Sequence, residues 1–278
     1  MTLFTVIGNP VAHSLSPQIH HLFAQQFGRE LRYTRSLSSP AKFARTVSEF
    51  FRYGGTGANV TVPFKQAALA LCSQLSARAE AAAAVNTLQL REHGQLFGDN
   101  TDGIGLVADL HRQYGDLSAA RVVLLGAGGA ARGVIAPLLQ AGVSSIVIAN
   151  RTLASAQQLV AQFTPSYPRQ LTALALSDMT PQQCQQALII NATSAAWSGQ
   201  NLAIAAECLA ATALVYDMNY GAQPTPLLQQ AAAAGAQRSV DGLGMLVEQA
   251  ALSFALWHDG LTPNTDSVLQ QLRVSLKR

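Results

Sequence analysis

Six residues near the middle of the chain, Gly126-Ala127-Gly128-Gly129-Ala130-Ala131, restrict its fold more than any other segment. They follow a β-rich apolar run, Val122-Val123-Leu124-Leu125, and open an apolar helical stretch, after which a second β-rich run appears at Ile146-Val147-Ile148-Ala149. A strand that turns through glycine into a helix and then a further strand is a unit of parallel sheet, because parallel neighbours need a crossover connection. The placing of Gly126, Gly128 and Ala131 suits a dinucleotide turn. The first glycine permits the tight turn, the second lets bare backbone approach a pyrophosphate, and the small third residue lets helix and strand pack closely. The helix N-terminus receives the negative charge. A glycine-rich turn with no ligand is the plain alternative, and the strand before and helix after speak against it.

The end of the following strand adds a second constraint. A site for NAD usually places Asp or Glu there to accept from the ribose 2′-hydroxyl. This chain has Asn150-Arg151-Thr152. A carboxylate would repel a 2′-phosphate, whereas a guanidinium binds one through planar, charge-assisted hydrogen bonds. The segment favours NADP, the bland alternative being that Arg151 is a solvated surface charge.

Around this unit, β-rich runs alternate with helical stretches, the pattern of parallel sheets covered by helices. Residues 4–7 and 57–61 read as strands. Ser16-Pro17 reads as a helix start with serine as N-cap and proline at the first helical position, and Pro63 stands in another helix-opening place. Residues 87–97 read as two strands around Glu92-His93-Gly94, which predicts a mixed first sheet. The texture changes near Gly103, and strands at 122–125, 146–149, 188–190 and 214–216 make a second α/β unit that ends about Asp241. Residues 244–257 and 263–276 read as helices without strands of their own, which predicts that they bury their apolar faces on the first sheet. The alanine runs 81–84 and 231–234 are read as helix. At 278 residues, two domains are expected.

Composition narrows the function classes. Charged residues are 12%, hydrophobic residues 49% and the net charge is +3, which excludes a disordered or polyelectrolyte chain. No dense Lys/Arg run supports a nucleic-acid surface. Cys72, Cys184 and Cys208 are odd in number, far apart and in no C-x-x-C pair, so neither a disulfide framework nor a zinc site is expected. Free thiols in a reducing cytoplasm account for them. The N-terminal residues reach Gly8-Asn9-Pro10 without a basic region, so no signal peptide is read, and no apolar run of about 18 residues suggests a membrane span.

Polar residues mark the ends of apolar segments in the first half: Ser14, Ser16, Asn59, Thr61, Lys65, Asn86 and Asp102. Singly, each has a structural explanation. Ser16 and Asp102 suit helix caps, Asn86 suits a strand-end turn, and Lys65 suits a solvent-facing first helical turn. Together they supply hydroxyls, amides, one cation and one anion, the set a polyhydroxylated carboxylate requires.

These segments carry a resemblance. Gly8-Asn9-Pro10 with His13-Ser14-Leu15-Ser16-Pro17, Asn59-Val60-Thr61-Val62-Pro63-Phe64-Lys65, Ala84-Val85-Asn86-Thr87 and Gly98-Asp99-Asn100-Thr101-Asp102-Gly103 resemble the shikimate dehydrogenase family. So do Gly126 to Ala130, Asn150-Arg151-Thr152, Tyr216-Asp217-Met218-Asn219-Tyr220 and Asp241-Gly242-Leu243-Gly244-Met245, in order over nearly the whole chain. The resemblance implies an α/β protein that reduces 3-dehydroshikimate to shikimate with NADPH, on the route to chorismate and aromatic amino acids. It implies a mixed-sheet substrate domain at 1–103, completed by helices at 242–278, and a Rossmann-type NADP domain at 104–241. By similarity, Ser14, Ser16, Asn59, Thr61, Asn86, Tyr220 and Gln249 would hold substrate, and Lys65 and Asp102 would be the catalytic pair. Gly126, Ala127, Gly128, Gly129, Ala130, Asn150, Arg151, Thr152, Met218 and Gly242 would meet NADP. The expected partner is a small molecule, with no metal, nucleic acid or membrane. The resemblance allows a homodimer, and the expected setting is cytoplasmic.

Two departures from the family pattern stand out. Ser155 occupies the place of a second basic residue after Asn150-Arg151-Thr152, removing one arm of a phosphate clamp. Ala196 and Trp197 follow Asn191-Ala192-Thr193-Ser194 where glycine and a small or flexible apolar residue are common. Hydride transfer to a ketone builds charge on its oxygen, which a cation placed beforehand would stabilise. Lys65 is the one cation in the polar set, and Asp102 would fix its ammonium. A quinate/shikimate dehydrogenase with relaxed substrate or cofactor choice is the nearest rival, and Ser155 leaves room for it. A non-catalytic NADP-binding regulatory protein is the rival of another class, and it would need no Lys65–Asp102 pair.

Overall fold

In the computed structural model, which describes residues 2–193 and 201–276, the apolar N-terminal run forms β1 (Thr2–Gly8). There follow α1 (Ser16–Gln26), β2 (Leu31–Leu37), α2 (Phe43–Arg52), β3 (Gly55–Val60), α3 (Lys65–Leu69), β4 (Gln74–Leu75), α4 (Ala77–Ala82), β5 (Thr87–Leu90), β6 (Leu96–Asp99) and α5 (Asp102–Gln113). The chain continues through β7 (Arg121–Leu125), α6 (Gly129–Gln140), β8 (Ser145–Asn150), α7 (Leu153–Phe163), β9 (Leu171–Ala175), α8 (Pro181–Cys184) and β10 (Leu188–Asn191). It ends with α9 (Ala206–Ala211), β11 (Leu214–Asp217), α10 (Pro226–Ala233), β12 (Ser239–Asp241), α11 (Leu243–Trp257) and α12 (Thr265–Leu276). Two compact units result, Met1–Gly105 with Leu246–Ser275, and Leu106–Met245 with Leu276–Arg278.

The first unit holds a six-stranded sheet of order β2-β1-β3-β5-β6-β4. It is mixed, since β5 runs antiparallel to both β3 and β6 while the other pairings are parallel. Ile7, Val47, Val60, Phe64 and Leu88 form a core with Phe43, whose ring stacks on Phe64 at 4.6 Å. A second cluster is aromatic: Phe4, His20, Phe23, Tyr33, Phe254 and Trp257 bring α1 and α11 together with β1 and β2. Gly57 makes this packing possible, because a Cβ there would collide with the Trp257 indole. The indole N–H donates to the Leu88 carbonyl at 3.0 Å. The tail helices thus bury apolar surface within this unit, Val268 and Leu272 of α12 being fully buried.

The second unit is a wholly parallel sheet of order β12-β11-β10-β7-β8-β9. Strand order reverses between β7 and β10, the switch point at which doubly wound sheets bind ligands. Its core is two-sided. Leu124, Val134, Ile148 and Ile190 belong to one cluster, Val123, Leu125, Ile189 and Val215 to the other. Alternate residues of the same strands serve opposite faces, which is why these strands read as unbroken apolar runs.

Several local expectations change. Ser16 is the first residue of α1 rather than its cap: Leu15 precedes the helix, no side chain caps it, and Pro17 lies one place further in. Ser14 occupies that corner instead, its Oγ accepting from Ser16 N at 3.3 Å and donating to Ser16 Oγ at 3.1 Å. Pro63 does not open α3; it sits in a turn after a cis Val62–Pro63 bond, and the helix begins at Lys65. The 81–84 alanine run is only partly helical, since α4 ends at Ala82 and Ala83 takes left-handed backbone at φ 47. Strands β2, β4, β9 and β12 carried too little apolar periodicity to be read. All four are sheet edges.

Candidate active site

The sheet register of the first unit assembles a polar row. Asn59 of β3 lies opposite Thr87 of β5, and Thr87 lies opposite Asp99 of β6. Just beyond those strand ends stand Thr61, Asn86 and Asp102. Lys65 is brought in by its own backbone, because its carbonyl accepts from Val85 N at 2.8 Å. The outcome is an ion pair, Lys65 Nζ to Asp102 Oδ2 at 2.7 Å, with side chains 31% and 15% exposed. Asp102 Oδ1 accepts from Asn86 Nδ2 at 2.8 Å. The pair is therefore held from behind yet reachable from solvent.

The segment that carries Asp102 is pinned at Asp99. Arg78 donates Nε to Oδ1 at 2.7 Å and Nη2 to Oδ2 at 2.5 Å, while Ser76 and the Asn100 N–H also donate to Oδ1. Burial alone would raise the Asp99 carboxyl, but these Arg78 and Ser76 bonds outweigh it and hold the group below its ordinary value. Asn100 then ties the turn to Ala84 O and to the Asp102 N–H.

Asn86 is the hub. Its Nδ2 also lies 2.9 Å from Thr101 Oγ1 and 3.2 Å from Gln249 Oε1, and its Oδ1 accepts from Thr101 N at 2.9 Å. Gln249 reaches it because α5 and α11 approach closely at Gly105, where a Cβ would lie 2.7 Å from Gln249 N. Asn59 is buried with both ends of its amide engaged: Oδ1 accepts from Tyr33 Oη at 2.7 Å, and Nδ2 faces Asn86 O, Thr87 Oγ1 and Ser253 Oγ. Arg35 donates Nε and Nη2 to the Ser14 carbonyl at 2.9 and 2.7 Å, fixing the turn that presents Ser14 and Ser16. Thr61 follows β3 with its N–H on Ile7 O, and its methyl occupies the space a side chain at position 8 would need.

Of the residues expected to hold substrate, Ser14, Ser16, Asn59, Thr61, Asn86 and Gln249 lie in the first unit with Lys65 and Asp102, and Tyr220 lies in the second. Burial pushes the Tyr220 phenol up to about 12. Met218 and Gly242 meet within that unit, Gly242 being a position where any Cβ would strike the Met218 carbonyl. Their turn is set by buried Asp217, which accepts from Asn191 Nδ2, Asn219 N, Asn219 Nδ2 and Thr225 Oγ1. Ala196 and Trp197 lie outside the described residues.

The second unit fits a dinucleotide. Gly126 has φ 102, as the tight turn demands. Gly128 and Gly129 have ordinary backbone angles, and a Cβ on either would meet nothing within 4 Å. Protein packing does not require glycine at these two exposed places, so the bare backbone at the head of α6 leaves room for a bound group. Ala131 is fully buried against the core. Asn150 donates Nδ2 to Thr152 O at 2.9 Å, and Arg151 is exposed at the end of β8.

Sequence reasoning did not single out Tyr33, Arg35, Arg78, Thr101 or Ser253. For Ser253 a signal existed, since it stands one helical turn beyond Gln249 and so on the same face. For Tyr33 and Arg35, on an unread edge strand, there was none.

Three parts of the chain match known families. Residues 6–88 match the shikimate dehydrogenase substrate binding domain, residues 109–210 the shikimate / quinate 5-dehydrogenase family, and residues 242–273 the shikimate 5'-dehydrogenase C-terminal domain. A shikimate dehydrogenase (NADP(+)) of Aeromonas hydrophila is 48% identical over 276 residues, covering 99% of each chain. The crystal structure of an Ael1 enzyme from Pseudomonas putida is 39% identical with TM-score 0.89 over 100% of both chains. Shikimate 5-dehydrogenase from Thermus thermophilus, in complex with NADP(H) and shikimate, is 32% identical with TM-score 0.83, covering 99% of this chain and 100% of that one. With identity of this extent spanning both units, the chain belongs to the shikimate dehydrogenase family.

Proposed function

We propose that the chain interconverts shikimate and 3-dehydroshikimate with NADP, the Lys65–Asp102 pair acting at the reacting carbonyl. Enzyme class and cofactor follow from the family and from relatives named for that NADP-dependent activity. The observation that carries the residue roles is the partly exposed Lys65–Asp102 ion pair, braced by Asn86, with Lys65 and Asn86 inside the region that matches the substrate binding domain.

Lys65 has three N–H donors, and the 2.7 Å contact with Asp102 uses one. The others are available to a ketone oxygen, where negative charge grows as reduction proceeds. A cation already in position stabilises that charge without reorganisation. Asp102 fixes the ammonium and offers its carboxylate to a neighbouring substrate hydroxyl. Ser14, Ser16 and Thr61 present hydroxyls for the substrate carboxylate and hydroxyls, with Asn86 and Gln249 beside the pair. Asn59 supports from within, since its amide is already engaged on both ends.

When bound, the reduced nicotinamide supplies the hydride. Gly126, Ala127, Gly128, Gly129 and Ala130 would cradle its pyrophosphate at the head of α6. Asn150, Arg151 and Thr152 would read the 2′-phosphate, with Met218 and Gly242 also meeting the cofactor. On this reading Met1–Gly105 with the tail helices is the substrate domain and Leu106–Met245 the NADP domain. Free buried thiols at Cys184 and Cys208 suit a reducing, cytoplasmic setting. Among the described residues, no helix is long and apolar enough to cross a membrane.

Lys65→Met tests the central assignment. Much of the stem volume survives while the charge goes, so turnover should fall on the order of 10²–10³-fold with a smaller change in the Michaelis constant for shikimate. The assay follows nicotinamide absorbance with shikimate or quinate and with NADP or NAD. A folded variant that binds NADP and turns over shikimate near the original rate would overturn the assignment.

A further inference from the structure

The ion pair is reached by a directed run of hydrogen bonds that starts well away from it. Asn59, Thr87 and Ser253 are buried. Tyr33 Oη donates to Asn59 Oδ1 at 2.7 Å, and Asn59 Nδ2 donates to Ser253 Oγ at 3.0 Å. The Ser253 and Thr87 hydroxyls are 2.7 Å apart. Thr87 Oγ1 donates to Asn86 Oδ1 at 2.9 Å, and Asn86 Nδ2 donates to Asp102 Oδ1 at 2.8 Å.

Proton counting sets the direction, because each hydroxyl has a single proton to give. The Tyr33 phenol donates, which turns the oxygen of Asn59 toward it and the amide nitrogen toward Ser253. Ser253 has three acceptors in reach, Thr87 Oγ1 at 2.7 Å, the Gln249 carbonyl at 3.2 Å and Thr101 Oγ1 at 3.5 Å. The shortest contact takes the proton, and Thr87 then directs its own to Asn86 Oδ1. Thr101 N donates to that same oxygen, so the amide nitrogen of Asn86 is left facing Asp102. In the reverse orientation, the Asn86 oxygen would oppose a carboxylate oxygen, and Asp102 would be driven off its contact with Lys65.

We infer that Ser253 is a positioning residue of the Lys65–Asp102 pair: its hydroxyl joins Asn59 to Thr87 and so fixes the Asn86 amide that holds Asp102. The inference rests on the catalytic reading of that pair given above. Ser253 touches neither member of the pair and lies 151 residues beyond Asp102 in the sequence.

The test compares Ser253→Ala with Thr87→Val, which removes the next hydroxyl with little change of shape, and with Thr87→Ser, which restores it. Both deletions should lower kcat on the order of tenfold, within the range known for small misplacements of a reacting group, with NADP binding unchanged. Thr87→Ser should keep kcat near the original. In an Asp102→Asn background Ser253→Ala should cost almost nothing further in kcat, because the two act as one unit, while its effect on Tm should persist. A kcat within about twofold of the original for Ser253→Ala, or a loss undiminished in the Asp102→Asn background, would overturn the inference. Lys65→Met separates the two readings. If it cripples turnover while Ser253→Ala does not, only the positioning role fails; if it leaves turnover intact, the catalytic reading fails first.

Discussion

His20 lies fully buried within the aromatic cluster of the first unit, and it makes stability depend on pH in a way that can be worked out. Its ring stacks on Tyr33 at 4.6 Å, and neither ring nitrogen has a hydrogen-bond partner. Burial, reinforced by the nearby His258, lowers its pKa from 6.5 to about 3, with only the Asn59 side chain acting the other way. The folded value is depressed, so the folded protein refuses a proton that the unfolded chain accepts. The stabilisation is complete above 6.5 and is lost as pH falls toward about 3. Each pH unit in that window removes about 1.4 kcal/mol, so His20 alone should cost about 2 kcal/mol between roughly pH 7 and pH 5. Urea unfolding at the two pH values measures the loss, with fluorescence of Trp257, whose ring is 5.2 Å from His20, reporting on this unit. His20→Leu removes the titrating group and provides the reference. His258, also lowered by burial, contributes in both proteins. The original chain should lose about 2 kcal/mol more than the variant on acidification. A difference below about 0.5 kcal/mol would show that the imidazole finds solvent or a partner in the folded state.

Two further outcomes follow from the site. Arg151→Ala should raise the Michaelis constant for NADP about tenfold or more, the worth of charge-assisted bonds to a phosphate, and leave that for NAD nearly unchanged; equal effects would show that Arg151 does not read the 2′-phosphate. Ser16→Ala should weaken shikimate binding while moving Tm little, because Ser16 caps nothing; a stability loss of ~1 kcal/mol with unaltered kinetics would restore the capping role.

Much of this protein could be read from its residues in order. The central strands declared themselves because they are buried on both faces, so Val122 to Leu125 and Leu188 to Ile190 are unbroken apolar runs. The glycine turn was equally plain, since Gly126 has to take a backbone angle that other residues avoid. Lys65, Asn86 and Asp102 were found as polar residues at the ends of apolar segments, and the structure brings those three into contact.

What the chain order withheld depends on neighbours distant in sequence. The strands β2, β4, β9 and β12 each lack a partner on one side, so each buries less and carries a weaker periodic signal. Whether Ser16 caps α1 depended on which residue the turn placed before the helix. Cys184 and Cys208, far apart in sequence, lie in one buried cluster. Most of all, the direction of the Asn86 amide depends on Asn59 meeting Ser253 across 194 positions. By itself the sequence determined which segments are apolar and which polar residues end them. Only the tertiary structure decided which of those residues face one another, because sheet register and helix seating, not periodicity, determine which donor meets which acceptor.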